Sequence, residues 1–257
     1  MLLAFNLFTT CSNYLDCQND GYINPNDCNN CKCPPGFGGQ LCDKKMERTE
    51  AFNKARAQAE AGTLDDAFQT IEQYTAEDGI EYSLSEMQTV NIIVCEKLTS
   101  CSFEEKKDAC LACLPLLEGC KLVKSAEWLE LYLDAVYDVF SKLSRYARDE
   151  ERSEAWNRVK EIYYEVTLAA RKVWKEKNLP GGLEVYVSYA KLVKSYLDVA
   201  DEDSFKICES YAKEAKFAGK GTLEDEDYRD TKKAIDTINK MITDAKHEKE
   251  LIDDDED

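Results

Sequence analysis

The chain has 257 residues and twelve cysteines, a length that allows one medium domain with a small module attached. Its 51 acidic against 33 basic side chains give a net charge of −18. That balance excludes phosphate-backbone binding by the molecule as a whole, which needs a basic face. The single histidine, His247, lies between Lys246 and Glu248, so no Ser/His/Asp or Cys/His arrangement can be built. The sequence has no HExxH pair, no GxxxxGK[ST] loop and no GxGxxG turn, the motifs that would bring a metal, a nucleotide or a dinucleotide. The expectation is a non-enzymatic protein with no cofactor, no metal and no nucleic-acid partner. No apolar run approaches the ~20 residues that a membrane span requires.

Residues 1–10 (MLLAFNLFTT) are apolar. They have no basic residue ahead of the apolar stretch and no clear small-residue cleavage site, which makes a poor secretory signal. Six cysteines follow within a short stretch: Cys11, Cys17, Cys28, Cys31, Cys33 and Cys42. So short a segment cannot bury an adequate core, and covalent links must replace it. Counting alone leaves many pairings open. The spacing Cys31-x-Cys33, the run Pro34-Pro35-Gly36-Phe37-Gly38-Gly39 before Cys42, and the stretch Gly21-Tyr22-Ile23-Asn24-Pro25-Asn26-Asp27-Cys28 resemble an EGF-like module. The stretch looks most like the EGF-like segment that follows the protease domain in nematode astacins, over residues 11–43. The resemblance implies the pairs Cys11–Cys28, Cys17–Cys31 and Cys33–Cys42. It also implies no calcium, because no acidic cluster precedes the first cysteine. No catalytic part of that family is present, and zinc is disfavoured because CxxC pairs are not duplicated at the right distance.

From Met46 onward the sequence fills with Ala, Glu, Lys, Leu and Tyr, and only Pro115 and Pro180 remain. Apolar residues recur at helical spacing in Leu129, Leu133, Val136, Phe140 and Leu143, and again in Val159, Ile162, Val166, Ala169 and Val173. Glycine and proline punctuate the pattern at Gly62, Gly79, Gly119, Pro180 and Gly219. The spacing predicts eight helices, over 47–61, 64–76, 84–113, 124–148, 151–177, 183–200, 203–218 and 224–247. These form an all-α, antiparallel multi-helix bundle or solenoid, and residues 248–257 form an acidic disordered tail.

Several segments, in order, resemble the 14-3-3 family over residues 46–247. Ala55 to Gln69 is similar to its first helix pair, and Tyr82-Ser83-Leu84-Ser85-Glu86 to the start of its third helix. Arg145-Tyr146 stands where the family has an Arg-Tyr pair, ahead of Leu179-Pro180, and Thr222 to Thr231 opens the last helix. The resemblance implies an adaptor whose groove reads phosphoserine or phosphothreonine in partner segments, with a homo- or heterodimer through the first helices. The candidate phosphopeptide residues are Arg145, Tyr146, Lys97, Lys106 and Asp198. An arginine fork, lysine charge and a tyrosine hydroxyl would hold a phosphate dianion. The third helix departs from the family pattern: Cys95 and Ser102 stand where a lysine and an arginine belong, leaving only Lys97 or Lys106 to substitute.

Bland readings accompany these. Cys101, Cys110, Cys113 and Cys120 read as small buried residues or surface thiols rather than a soft metal site. Trp128, Trp156, Trp174, Tyr163 and Tyr164 read as interhelix packing rather than a ligand cage. An EGF-like module needs an oxidising space, whereas six further cysteines in the helical body suit a reducing one. The absence of any N-x-[ST] sequon and the poor signal favour the cytoplasm, with secretion as the alternative. The rival functions are a helical scaffold that no longer reads phosphate and a secreted interaction protein acting through its EGF-like module.

Overall fold

A computed structural model describes residues 15–25, 27–33, 37–45, 47–72, 74, 80–118, 120–123, 125–175, 180–216 and 223–255. The chain divides into two units, Met1–Glu77 and Asp78–Asp257.

In the first unit, β1 (Tyr22–Ile23) pairs antiparallel with β2 (Cys31–Lys32), and β3 (Phe37–Gly38) pairs antiparallel with β4 (Lys44–Lys45). Such two-residue strands bury almost nothing, so cross-links hold the module. Cys17–Cys31 and Cys33–Cys42 are disulfides, as the EGF-like resemblance implies. Cys28 is also disulfide-bonded, while Cys11 and the segment 1–10 lie outside the described residues. Gly21 is required by packing, because a Cβ there would fall 2.5 Å from Cys42 Sγ. Helices α1 (Arg48–Glu60) and α2 (Leu64–Glu72) complete the unit. Between them Gly62 takes φ +80°, and Thr63 N–H donates to Gln58 O at 2.9 Å, a left-handed cap that closes α1. The division after Glu77 sets α1 and α2 apart from the later helices, whereas the sequence pattern joins all helices from residue 46.

The second unit holds α3 (Leu84–Ser100), α4 (Lys106–Leu117), α5 (Ala126–Tyr146), α6 (Asp149–Val173), α7 (Pro180–Ser195), α8 (Glu202–Lys216) and α9 (Asp225–Asp255). α3 opens on a capping box: Glu86 N–H donates to Ser83 Oγ at 3.3 Å, and Ser83 N–H donates to Glu86 Oε2 at 2.8 Å. Packing is regular. α3, α5, α7 and α9 lie in a row, each against the next, while α4, α6 and α8 each bridge two members of that row. The core between the rows is aromatic. Trp128 Nε1 donates to Tyr82 O at 2.9 Å, Tyr132 Oη to Leu117 O at 3.0 Å and Tyr196 Oη to Phe140 O at 3.0 Å. Trp156 packs between Tyr189 and Tyr196, with ring centroids 5.9 and 5.4 Å away.

Three expectations are corrected here. Nine helices, not eight, stand among the described residues, because the segment expected as one helix over 84–113 breaks after Ser100. Ser102 donates its N–H and hydroxyl to Glu105 Oε2 at 3.0 and 2.7 Å, and Lys106 Nζ donates to Leu98 O; side chains thus satisfy the backbone where the helix stops. The tail is not wholly disordered, since α9 runs on through Asp255. No glycine or proline interrupts residues 223–257, and Lys194 of α7 holds Glu248 at 2.8 Å. Finally, Tyr164 is 64% exposed and takes no part in the core, whereas Trp128, Trp156 and Tyr163 are buried.

Candidate functional site

The row of α3, α5, α7 and α9 turns one side away from α4, α6 and α8. On α5 the buried residues Ala135, Val136, Val139, Phe140 and Leu143 face the core. A polar row recurs at helical spacing on the other side: Glu130, Asp134, Asp138, Ser141 and Arg145, with Tyr137 beside it. α3 adds Asn91 and Cys95 to this face, and α7 adds Glu184, Lys191 and Lys194.

The face is knitted by a few contacts, most of them partly buried. Asn91 Nδ2 donates to Leu131 O at 2.9 Å, and the Cys95 thiol donates to Asp138 Oδ2 at 3.7 Å. Lys142 pairs with Asp138 at 3.5 Å and Lys191 with Glu184 at 3.7 Å. Lys191 Nζ also lies 5.6 Å from the Tyr137 ring centroid. The carboxylates outweigh their partners. Burial raises the Asp134 carboxyl above its ordinary range and the neighbouring Asp138 raises it further. Glu184 is raised by burial, with Lys191 opposing and Asp134 adding. Burial and Asp138 push the Cys95 thiol up to about 11, which makes it a poor nucleophile.

The five residues expected to hold phosphate fall at different places. Arg145 is exposed on this face and has no hydrogen bond or ion pair among the described residues. Its charge is felt by Tyr137, whose hydroxyl burial and Asp138 otherwise push up. Tyr146, its neighbour, turns to the end of the row, where it meets Phe103 edge-on at 5.1 Å. Lys97 lies within electrostatic range of the buried Cys113 of α4, and the Lys106 ammonium caps the end of α3. Asp198 is held by Arg152. Arg152 Nε donates to its two carboxylate oxygens at 2.8 and 2.6 Å, Nη2 donates to Ser195 O at 2.6 Å, and Nη1 donates to Ser144 O. Burial alone would raise the Asp198 carboxyl, but the Arg152 bond and charge bring it below the usual range. Arg145 and Tyr146 are thus neighbours in sequence whose side chains serve different surroundings, and Lys97, Lys106 and Asp198 lie elsewhere again. Asp134 and Glu184 were not among the expected site residues. The signal for Asp134 was a polar row along one side of α5, whereas Glu184 lies on α7 and had no such signal.

Among the described residues no group of three or more His, Cys, Asp or Glu is placed to hold a metal, and no helix is long and apolar enough to cross a membrane. Cys110, Cys113 and Cys208 are buried, while Cys95, Cys101 and Cys120 are partly exposed; all six thiols are free.

Comparison with known proteins separates the two ends of the chain. The profile of a family described as a domain of unknown function (DUF7758) matches residues 71–196, just under half the chain. Curated relatives match a much shorter piece. The zinc metalloproteinase nas-34 of Caenorhabditis elegans is 94% identical over 35 residues, 14% of this chain and 6% of that protein. The zinc metalloproteinase nas-19 of the same nematode is 51% identical over 37 residues, 14% of this chain and 9% of its own length. The zinc metalloproteinase dpy-31 of Haemonchus contortus is 42% identical over 52 residues, 20% and 10% of the two chains. The chain thus spans a tenth or less of these relatives. Together with the disulfides, these matches show an EGF-like module at the amino-terminal end.

Proposed function

We propose that the helical body is a non-enzymatic protein-binding adaptor that holds an extended partner segment on the α3–α5–α7–α9 face, with Arg145 taking an anionic side chain of that segment. The observation that supports this reading is Arg145 itself: an exposed guanidinium on a polar face, without an ion pair among the described residues. The resemblance to 14-3-3 proteins makes phosphoserine or phosphothreonine the first candidate. The placement of Lys97 and Lys106 argues for a single-fork contact rather than a full phosphate cradle, and Asp134 and Asp138 on the same helix disfavour a dianion. One guanidinium bonds a carboxylate and a phosphate by the same bidentate geometry, so glutamate and phosphoserine compete for it. Dimerisation through α1 and α2 belongs to the same proposal. The disulfide-bonded module is compatible with an oxidising compartment, in place of the expected cytoplasm.

The test uses the full chain and one fluorescent peptide in three versions, with phosphoserine, glutamate or serine at its centre. Charge-assisted bonds of about 1.5 to 3 kcal/mol, reduced by exposure, should make both charged versions bind roughly fivefold or more tighter than serine. Arg145→Ala should erase the difference. Equal binding of all three versions would refute the adaptor reading of this face. A phosphoserine preference of tenfold over glutamate would instead restore the full cradle.

A further inference from the structure

A second surface lies on the opposite row. α4 and α6 pack on α5 rather than on each other, and two adjoining cavities of about 140 and 460 Å³ open between them, both lined by Arg158. The smaller cavity is walled by Leu111, Leu114 and Leu143, and the larger by Leu117, Tyr132 and Ile162. Leu111 is 42% exposed although it sits on a helix whose other leucines are buried. Two ion pairs cross it, Lys107 to Glu151 at 3.0 Å beside the smaller cavity and Arg158 to Glu118 at 3.3 Å where the two cavities meet. Along its α6 side stand Glu154, Glu161 and Glu165, all exposed and none with a partner among the described residues. Their spacing of seven and then four residues puts them on one side of α6.

We propose that the α4–α6 groove docks an amphipathic helix of a partner protein, apolar on the face that enters the groove and rich in lysine or arginine along the edge that meets Glu154, Glu161 and Glu165. Charge complementarity selects this occupant. An acidic or neutral helix would leave three like charges unanswered beside an apolar floor. Length selects its size. The twelve residues of α4 run about 18 Å at 1.5 Å per residue, which is three turns of a partner with apolar anchors at i, i+4, i+7 and i+11. This surface is independent of Arg145, so the two proposals stand or fall separately.

The probe is a synthetic helix with leucines at those four positions and lysines along one edge, read by fluorescence anisotropy against the full chain. Two controls accompany it: the same leucines with glutamates on the edge, and a scrambled peptide of identical composition. The expected result is binding of the first peptide only, weakened at least tenfold by Leu111→Glu and by the double change Glu161→Lys, Glu165→Lys. All three side chains are exposed, so circular dichroism should show the fold intact. Equal binding of the patterned and scrambled peptides would show attraction to net charge alone and overturn the proposal. So would binding by none of the peptides, or indifference to Leu111→Glu. Sedimentation of the free chain covers the remaining occupant: a dimer that Leu111→Glu splits would make a second copy the partner and overturn the proposal as stated.

Discussion

Replacing Arg152 with methionine tests whether the end of the α3–α5–α7–α9 face is set by one side chain. Arg152 is only 12% exposed and ties α6 to the last turns of α5 and α7. The change keeps most of the packing volume and removes three kinds of contact. Two partly buried carbonyls, Ser144 O and Ser195 O, lose a charged donor, at about 1 kcal/mol each after partial solvation. The guanidinium 5.0 Å from the Tyr196 ring centroid is worth about 0.5 to 1 kcal/mol. The pair with Asp198, whose side chain is 50% exposed, adds no more than about 0.5 to 1 kcal/mol. The total is about 3 kcal/mol, which at a urea slope near 2 to 3 kcal/mol per molar lowers the midpoint by about 1 to 1.5 M. All three tryptophans lie in the helical unit, so their fluorescence reports its unfolding without interference from the module. Asp198→Asn should cost under about 1 kcal/mol by the same assay, because the carbonyls keep their donor. Equal effects of the two variants would refute this partition and return Asp198 to candidacy as a ligand-reading acid.

Further predictions concern single features. Gly62→Ala puts a side chain at φ +80° and should destabilise the α1–α2 connection by about 1 kcal/mol, read as faster amide exchange in α1. Burial raises the Asp201 carboxyl, yet the hydrogen bonds from Lys160 and Ser204 overcome it and bring the group down to about 2. A depressed folded pKa stabilises above the unfolded value near 3.9 and is lost as pH falls toward 2. The acid limb of the unfolding curve should therefore flatten in Lys160→Met, and an unchanged limb would count against the pair. Trp128→Phe removes the donor to Tyr82 O and should cost about 1 to 2 kcal/mol in urea unfolding.

Most helices were legible because their signals are local. Capping at Ser83 and the left-handed Gly62 act within a few residues, whereas the disulfide pairs came from the EGF-like resemblance, since counting left them open. The break after Ser100 was also local, written as Ser102-Phe103-Glu104-Glu105, but apolar periodicity continuing through Cys110 and Cys113 masks it. The site was less legible because it depends on register. Lys97 and Cys95 differ by two positions, which places one toward α4 and the other toward Asp138. Arg152 was invisible for another reason: its acceptors, Ser144 O and Ser195 O, are backbone groups of two other helices, and backbone acceptors leave no mark on side-chain patterns. The groove between α4 and α6 arises from which helices fail to pack together, and no single helix encodes that.

Sequence alone sets the two ends of the chain against each other, since one wants disulfides formed and the other carries six free thiols. Burial removes much of the conflict. It is the largest cause that pushes the thiols of Cys110 up to about 11 and of Cys113, Cys120 and Cys208 up to about 12. Thiols pushed up in this way hold very little thiolate near neutral pH, and the thiolate is the species that attacks a disulfide or an oxidant. Buried thiols such as Cys110, Cys113 and Cys208 survive an oxidising space as well as a reducing one, so they set no requirement, and the disulfide-bonded module is compatible with an oxidising compartment. Iodoacetamide at pH 7.5 on the native full chain should leave Cys110, Cys113 and Cys208 unmodified while the partly exposed Cys101 reacts first, with mass spectrometry locating the label. Rapid modification of the buried three would mean that the helical unit opens readily, and the conflict between its thiols and an oxidising compartment would return.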